Sequence, residues 1–424
     1  MAMENKTTVY EGMACVSILE GKEKLLLRHH PWVFSGAIAG IKGTLPPSGT
    51  GAVVRVETSI GRFIAYGWYD ALSHISLHLL SWDEKTLPDA KWWFRTIRAA
   101  VLRRSFFFGE RTGRTNACRL VHGEADFLPG LAIDLYAGMV RCIVSARIAW
   151  DVRKLVVDAL QRLLKPSLIV VTTDSAFCGI EKMSEQTEWY RQGVLVDQMT
   201  DEAPAVRFRE NGLLFNLYPG LGQKSGFFCD QRENRARVSV YAKGTAVLDA
   251  FSYNGGFTLN ALRAGASQVD AVDSSESALE QLVAHVDMNI EAGKLLPESR
   301  DRVAVVKSDV FEYLREMPNK KYGLIILDPP KLARTRNQVE SAEKAYKDLN
   351  RLAIQKVAPA GIVATFSCSG SISRERFQTI IAWAAKDANR EVQILETLGQ
   401  PSDHPIRLSF PESEYLKGFI LQVI

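Results

Sequence analysis

The stretch TFSCSG, residues 365–370, sets Cys368 between two serines directly after the apolar run GIVAT. A free cysteine in such a place is by default a small core hydrophobe. Its alternative is a nucleophile held at the mouth of a site. Two other stretches bear on that choice. LIILDPPKLART, 324–335, ends an apolar strand at Asp328 and stiffens the exit with Pro329 and Pro330, before Lys331. Such a turn would hold a carboxylate and backbone carbonyls over the reactive end of a ligand, with Pro329, Pro330 and Lys331 on the substrate side. VLDAFSYNGGFTLNAL, 247–262, ends a strand at Asp249, passes through Phe251, Ser252 and Tyr253, and opens a helix with Gly255 and Gly256. Glycine there would let a ligand approach the backbone without a Cβ clash. The spacing is not that of the phosphate-binding G-x-G-x-x-G turn. An acid at the strand end would repel a pyrophosphate and prefers a cationic ligand.

Two more acids extend the pattern. The second strand ends in VDSS, with Asp273 and Ser274, where a carboxylate can accept both ribose hydroxyls. The third ends in KSDVF, with Asp309 placed to receive an adenine amino group. One such acid is explained by helix capping alone. Three in successive strands, with the glycine turn, point to a nucleoside carrying positive charge, and S-adenosylmethionine is the expected cofactor.

A methyl donor beside a thiol suggests one chemistry. Carbon 5 of a pyrimidine is a poor nucleophile, but a thiolate added at carbon 6 turns it into an enamine-like centre. Cys368 would be that nucleophile, and Asp328 would hydrogen-bond the ring nitrogen as charge develops there. The thiolate is the reactive form, and a helix beginning near Ser371 would lower the thiol pKa through its positive end. The group that removes the carbon-5 proton is not identified.

These residues need a frame. From about Thr245 apolar strands alternate strictly with helices, so an α/β fold with a Rossmann-like parallel sheet is expected. Ligands bind such sheets outside the carboxyl ends of the strands, where the winding reverses. The methyltransferase domain is expected over 206–424, opening with a hairpin at 206–220 that turns across Gly212. Residues 1–90 read as a small β domain, with short strands between turns such as GTLPPSGTG. There the basic stretch KEKLLLRHH precedes Trp32 and Phe34, a combination that suits RNA through phosphate attraction and base stacking as well as it suits a solvated edge beside core aromatics. Residues 91–205 read as a central α/β domain, with a helix from Asp89 and an amphipathic helix ended by Pro166.

The 424 residues suggest two or three domains, and a net charge of +4 permits a nucleic-acid partner without demanding one. The 6 cysteines form no C-x-x-C pair, which argues against zinc or redox motifs and fits free thiols in a reducing compartment. Cys15, Cys142 and Cys178 are expected in the core, and Cys118, beside Arg119, partly exposed. MAMENKTTVYEG has no apolar signal core, and no apolar run nears the ~18 residues that span a bilayer. A cytoplasmic protein with no membrane partner and no metal is expected.

Together the stretches resemble a known family, the bacterial 23S ribosomal RNA cytosine-5 methyltransferases with an N-terminal PUA domain. LLLRHHPWVFSGAI, GAVVRVE and GRFIAYGWYDALSHISL resemble the PUA domain, an RNA-binding β barrel, and CRLVHGEADFLPGLAIDLY the start of the central domain. GQKSGFFCDQRENR, 222–235, is similar to the segment that closes over the cofactor, which implies Phe228 and Arg232 as cofactor neighbours. FSYNGGF, DSSESAL, KSDVFEYL, LDPPKLAR, FSCSG, PSDHP and YLKGFIL follow in family order. The resemblance implies methylation of carbon 5 of a cytosine in large-subunit ribosomal RNA, naked or partly assembled, through a covalent Cys368 adduct. Monomer and homodimer stay open. The chain departs from the family at Leu332, where an aromatic is usual, and at His78, where relatives often carry an arginine. Other readings keep the fold but move the methyl to another base atom, such as guanine nitrogen 7, or make the chain a non-catalytic ribosome-assembly factor. His404 in SDHP is expected to be structural.

Overall fold

The computed structural model describes residues 13–47, 51–105, 113–196, 205–219, 226–333 and 338–424. Residues 1–12, the tip of GTLPPSGTG, residues 222–225 of the expected closing segment, and Arg334 and Thr335 lie outside them. The chain divides into two compact units. One comprises Met1–Ser105, Arg119–Glu202 and Ile406–Ser413, the other Phe106–Cys118, Ala203–Pro405 and Glu414–Ile424.

The first unit holds two sheets. Strands β1 (Cys15–Ile18), β2 (Trp32–Val33), β3 (Ile38–Lys42), β4 (Ala52–Thr58), β5 (Phe63–Tyr69) and β6 (Leu77–Ser81) form a six-stranded sheet in the order β2-β6-β5-β4-β1-β3. Alternation in β1 and β4 turns Val16, Ile18, Val54 and Val56 inward, fully buried, as a one-sided sheet requires. Helix α1 (Lys24–Leu27) is a single turn, and α2 (Ala90–Arg103) is capped by Asp89, whose carboxylate accepts from Trp92 N at 2.8 Å. The second sheet, β7 (Ala117–His122), β8 (Leu131–Tyr136), β9 (Met139–Val144), β10 (Leu168–Thr173), β11 (Thr187–Arg191) and β12 (Val194–Val196), runs in the order β12-β11-β10-β9-β8-β7. The parallel β9–β10 pair needs a crossover, which α3 (Arg147–Asp151) and α4 (Arg153–Leu164) supply. The single helix expected before Pro166 is thus broken at Val152. Helix α5 (Ser175–Glu181) follows β10.

Two cysteine expectations change here, and His78, Trp32 and Phe34 take definite places. His78 is buried at 3% exposure, with Glu124 Oε1 3.9 Å from its Nδ1 and neither ring nitrogen hydrogen-bonded among the described residues, and burial pulls it down to about 4. A neutral inward-facing imidazole is in no position to touch RNA. Trp32 is tied down, its Nε1 donating to Glu124 Oε1 at 2.9 Å and its ring 4.6 Å from that of Phe410, whereas Phe34 is 46% exposed. Cys118 is fully buried, and Cys15 is the more exposed of the two.

In the second unit, β13 (Val206–Glu210) and β14 (Leu213–Leu217) form the hairpin, turning through Asn211 and Gly212 with φ of 51° and 87°. Asn-Gly meets the left-handed requirement of such a two-residue turn. Helix α6 (Arg232–Ser239) leads into β15 (Ala246–Ala250), and the alternation continues through α7 (Gly256–Arg263), β16 (Gln268–Asp273), α8 (Glu276–Glu291), β17 (Val303–Lys307), α9 (Val310–Glu316), β18 (Leu324–Leu327), α10 (Val339–Lys356), β19 (Ile362–Ser367), α11 (Arg374–Asp387), β20 (Val392–Gly399) and β21 (Lys417–Val423). The sheet order is β17-β16-β15-β18-β19-β21-β20. Strands β15 to β19 pair in parallel, but β21 is antiparallel to both β19 and β20. The expected parallel sheet holds from β15 to β19, and β21 runs against it at this edge because no helical crossover joins β20 to β21. Gly418 permits the insertion, since a Cβ there would stand 2.4 Å from the Phe366 ring. Among the described residues no helix is long and apolar enough to cross a membrane.

Candidate active site

The sheet order reverses between β15 and β18, so the loops after β15, β16, β18 and β19 meet at one edge. Asp249, in β15, is fully buried. Its Oδ2 accepts from Thr258 Oγ1 at 2.6 Å, and its Oδ1 has no partner among the described residues. Burial, with the nearby Asp273 charge, raises its carboxyl to about 6. The folded pKa lies above the ordinary 3.8, so the stabilising effect of the neutral form is complete below about 4 and is lost as pH rises through about 6. Asp249→Asn is therefore expected to be more stable than the parent by ~3 kcal/mol above neutral pH, with no difference near pH ~4. Urea unfolding midpoints at the two pH values check this.

Beyond β15 the backbone is unusual. Phe251, Tyr253 and Gly255 have φ of 66°, 49° and 88°. Left-handed conformation costs each aromatic residue ~1–2 kcal/mol, and such strain gathers at functional loops. Hydrogen bonds hold it in place. Phe251 N and Ser252 N both donate to Val272 O, at 2.9 and 3.0 Å, and Tyr253 N donates to Asp273 Oδ2 at 2.9 Å. Ser252 Oγ is buried with no partner among the described residues. The glycine pair answers to packing as well as to any ligand. A Cβ on Gly255 would meet Leu282 at 2.7 Å, and one on Gly256 would meet Arg235 at 2.9 Å.

The remaining acids are engaged locally. Asp273 Oδ1 accepts from Ser275 N at 2.9 Å, while Ser274 is exposed. Asp309 is exposed and caps α9, accepting from Glu312 N at 3.1 Å. Phe228 is 41% exposed, with its ring 5.6 Å from that of Tyr253, which puts it beside the strained loop. Arg232 is placed differently. Its buried guanidinium binds Asp403 through two bonds, of 2.9 and 2.8 Å, and Asp403 also meets His404 Nδ1 at 3.2 Å. That pair is an internal tie, and it gives His404 a structural setting.

Asp328 follows β18, and its Oδ1 accepts from Gln231 Nε2 at 2.8 Å. Burial first, then the Asp230 charge, raise it to about 7. Cys368 follows β19, in register beside β18, with its Sγ 3.9 Å from Pro329 O. The two expected catalytic groups therefore share one edge, together with Pro329, whereas Pro330 and Lys331 are exposed. The expected lowering of the thiol pKa does not occur. Burial and the Asp328 and Asp230 charges push Cys368 up to about 12, against the weaker pull of Lys331 and a backbone amide. Helix α11 begins only at Arg374, where Ser373 rather than the thiol caps it. Ser369 joins the two loops, because its Oγ accepts from Ala333 N at 3.2 Å and meets Tyr346 OH at 3.1 Å. Sequence reasoning passed over Gln231, Asp230 and Ser369. Ser369 carried a signal as part of the polar SCSG end of an apolar strand, and Asp230 and Gln231 lay in the stretch 222–235 already set apart by its resemblance.

The fold and these strand ends are those of a methyltransferase. Residues 118–406 match the family described as S-adenosylmethionine-dependent methyltransferases, and residues 16–82 match a PUA-like domain. The chain is 21% identical to a SAM-dependent methyltransferase from Streptococcus mutans, covering 97% of this chain and 100% of that one with a TM-score of 0.76. A methyltransferase structure complexed with SAH superposes equally well, at a TM-score of 0.77 and 23% identity over 97% of this chain and 100% of that one. At these identities the likeness speaks for the fold. The chain is 37% identical to ribosomal RNA large subunit methyltransferase I of Aeromonas salmonicida over 96% of this chain and 98% of that one. The protein of the same name from Tolumonas auensis is 37% identical over 99% and 100%. This chain belongs to that methyltransferase family, and its cofactor is S-adenosylmethionine.

Proposed function

We propose that the protein methylates carbon 5 of a cytosine in large-subunit ribosomal RNA through a covalent adduct with Cys368. The observation that carries this reading is the meeting of Cys368 Sγ with the Asp-Pro-Pro turn, 3.9 Å from Pro329 O. The relatives' names support the RNA class, and the match of residues 16–82 to a PUA-like domain supports an RNA-holding module. We take 1–90, 91–205 and 206–424 as the RNA-binding, central and methyltransferase domains.

The orphaned Asp249 Oδ1 and Ser252 Oγ suit a ligand that brings its own donors and a positive charge. Asp249, Ser252, Tyr253, Asp273 and Phe228 would hold S-adenosylmethionine, whose sulfonium supplies an electrophilic methyl group. A target cytosine would be flipped out of its stack to reach the strand ends. Cys368 would give its proton to water as its sulfur bonds to carbon 6, and the enamine carbon 5 would then take the methyl group from the sulfonium, which is left as a neutral thioether. Asp328, raised to about 7, holds a proton near neutral pH and can give it to ring nitrogen 3 as charge builds there. Cytosine accepts at nitrogen 3 where uracil donates, so the same carboxyl selects the base. Loss of the carbon-5 proton to water expels the Cys368 thiolate from carbon 6, and nitrogen 3 returns its proton to Asp328, which restores the ring.

Ribosomal RNA carrying 5-fluorocytidine tests this, because fluorine cannot leave as a cation and the adduct persists. The parent protein is expected to become crosslinked through Cys368, as read by peptide mass spectrometry. Absence of any such crosslink, with 5-methylcytosine in ribosomal RNA unchanged when the gene is deleted, would overturn the reading. Asp328→Asn is expected to slow turnover ~10²-fold with cofactor affinity retained, because an amide has no proton to give. Single-turnover methylation with calorimetric titration of the cofactor checks both halves.

A further inference from the structure

Lys417 begins β21, opposite Ser367 in the antiparallel pairing with β19. Its side chain is 2% exposed, and Nζ donates to Ser369 O at 2.9 Å. The side chain thus starts across from the residue before Cys368 and ends on the residue after it. Among the described residues it forms no ion pair. Glu414 is engaged by Arg374, whose Nη2 lies 2.7 Å from Glu414 Oε1. An ammonium buried without an anion is costly, and leucine or methionine would suit the apolar run LKGFILQV better. Burial accordingly lowers Lys417 to about 8.

The group that would repay such a charge is the thiolate of Cys368, which interacts electrostatically with Lys417. Resting on the nucleophile reading above, we propose that Lys417 is a positioning residue for Cys368. It clamps the Ser369 carbonyl and serves as the counter-charge when the thiolate forms. The other ionisable groups facing this spot are Asp328 and Lys331 from the β18 loop, Asp230 from the segment before α6, and Tyr346 from α10, with Glu414 and Arg374 beyond. Asp230 opposes a thiolate, Asp328 does so once it ionises above about pH 7, and the exposed Lys331 is shared with solvent. Lys417 is the buried cation of the set.

The test is alkylation of Cys368 by iodoacetamide in the full chain, followed by site-specific mass spectrometry across the range from about pH 6 to about pH 10. Lys417→Met and Lys417→Gln are each expected to slow Cys368 alkylation at least ~tenfold near pH 8, moving the profile up by about one pH unit. Glutamine keeps a donor for Ser369 O, so its shift isolates the charge from the clamp. Lys417→Arg is expected to stay within ~threefold of the parent. The proposal is overturned if both neutral variants, folded by their thermal transitions, alkylate with the parent's profile. It is also overturned if only methionine shifts it, since a clamp alone explains that. Alkylation needs neither RNA nor cofactor, so this outcome is separate from whether Cys368 attacks cytosine, which the fluorocytidine crosslink decides.

Discussion

Cys368→Ala is expected to lower methyl transfer to ribosomal RNA by at least ~10³-fold while leaving cofactor affinity within ~twofold of the parent. A covalent path that loses its nucleophile has no second group at the β19 end to replace it, since Ser367 and Ser369 are fully buried. The fold should tolerate the change. Among the described residues Sγ makes one weak hydrogen bond, at 3.9 Å to Pro329 O, and truncating a partly exposed thiol opens a cavity worth ~1 kcal/mol. Methyl incorporation from labelled S-adenosylmethionine, with calorimetry for binding, gives both readings. A variant that methylates at close to the parent rate would exclude the covalent route and favour transfer to a ring nitrogen, which needs no thiol.

Asp403→Ala is expected to destabilise the second unit by ~3–5 kcal/mol, because it removes the buried carboxylate that takes two bonds from the Arg232 guanidinium and leaves the exposed Glu233, 3.7 Å away, as a weaker anion. Burial works to raise Asp403, but the bonds from His404 and Arg232 prevail and hold it well below the usual carboxylate range. A lowered folded pKa gives stability that is present above about pH 4 and is lost as pH falls further. The gap between parent and variant should therefore narrow in acid. Denaturant midpoints near neutral pH and below about pH 3 measure it. A variant with an unchanged midpoint would show that the pair adds nothing net. Replacing both partners by apolar residues of similar volume should recover much of the loss, because the penalty lies in the orphaned charge.

The second unit was the more legible half of the sequence. Apolar strands such as LIILD and GIVATFS are buried on both faces and read as continuous runs, and helices with polar caps separate them. Asp249, Asp273, Asp328 and Cys368 could thus be placed at strand ends from spacing alone. The insertion of β21 could not, because the pairing partner of a strand is decided by long-range packing, here Gly418 against Phe366. Local sequence also missed what burial does to charge. A helix start near Ser371 suggested a lowered thiol pKa, yet Asp328 and Asp230, 40 and 138 residues earlier, push the other way. Arg232 read as a cofactor neighbour because of its family segment, and its committed partner, Asp403, lies 171 residues away. Lys417 carried a faint signal, as a lone charge at the head of the apolar run GFILQV.

The inserted strand also sets an order of events during synthesis. Protein chains emerge amino end first and begin to fold as they do so. A nascent chain that already contains β15 to β20 has both loops of the site, but β20 has no neighbour to pair with until β21 arrives and takes the place between it and β19. Cys368 likewise gains its buried cation only then. Until then the strand that leads to Cys368 lacks its antiparallel neighbour, and the edge of the sheet that frames the site stays open.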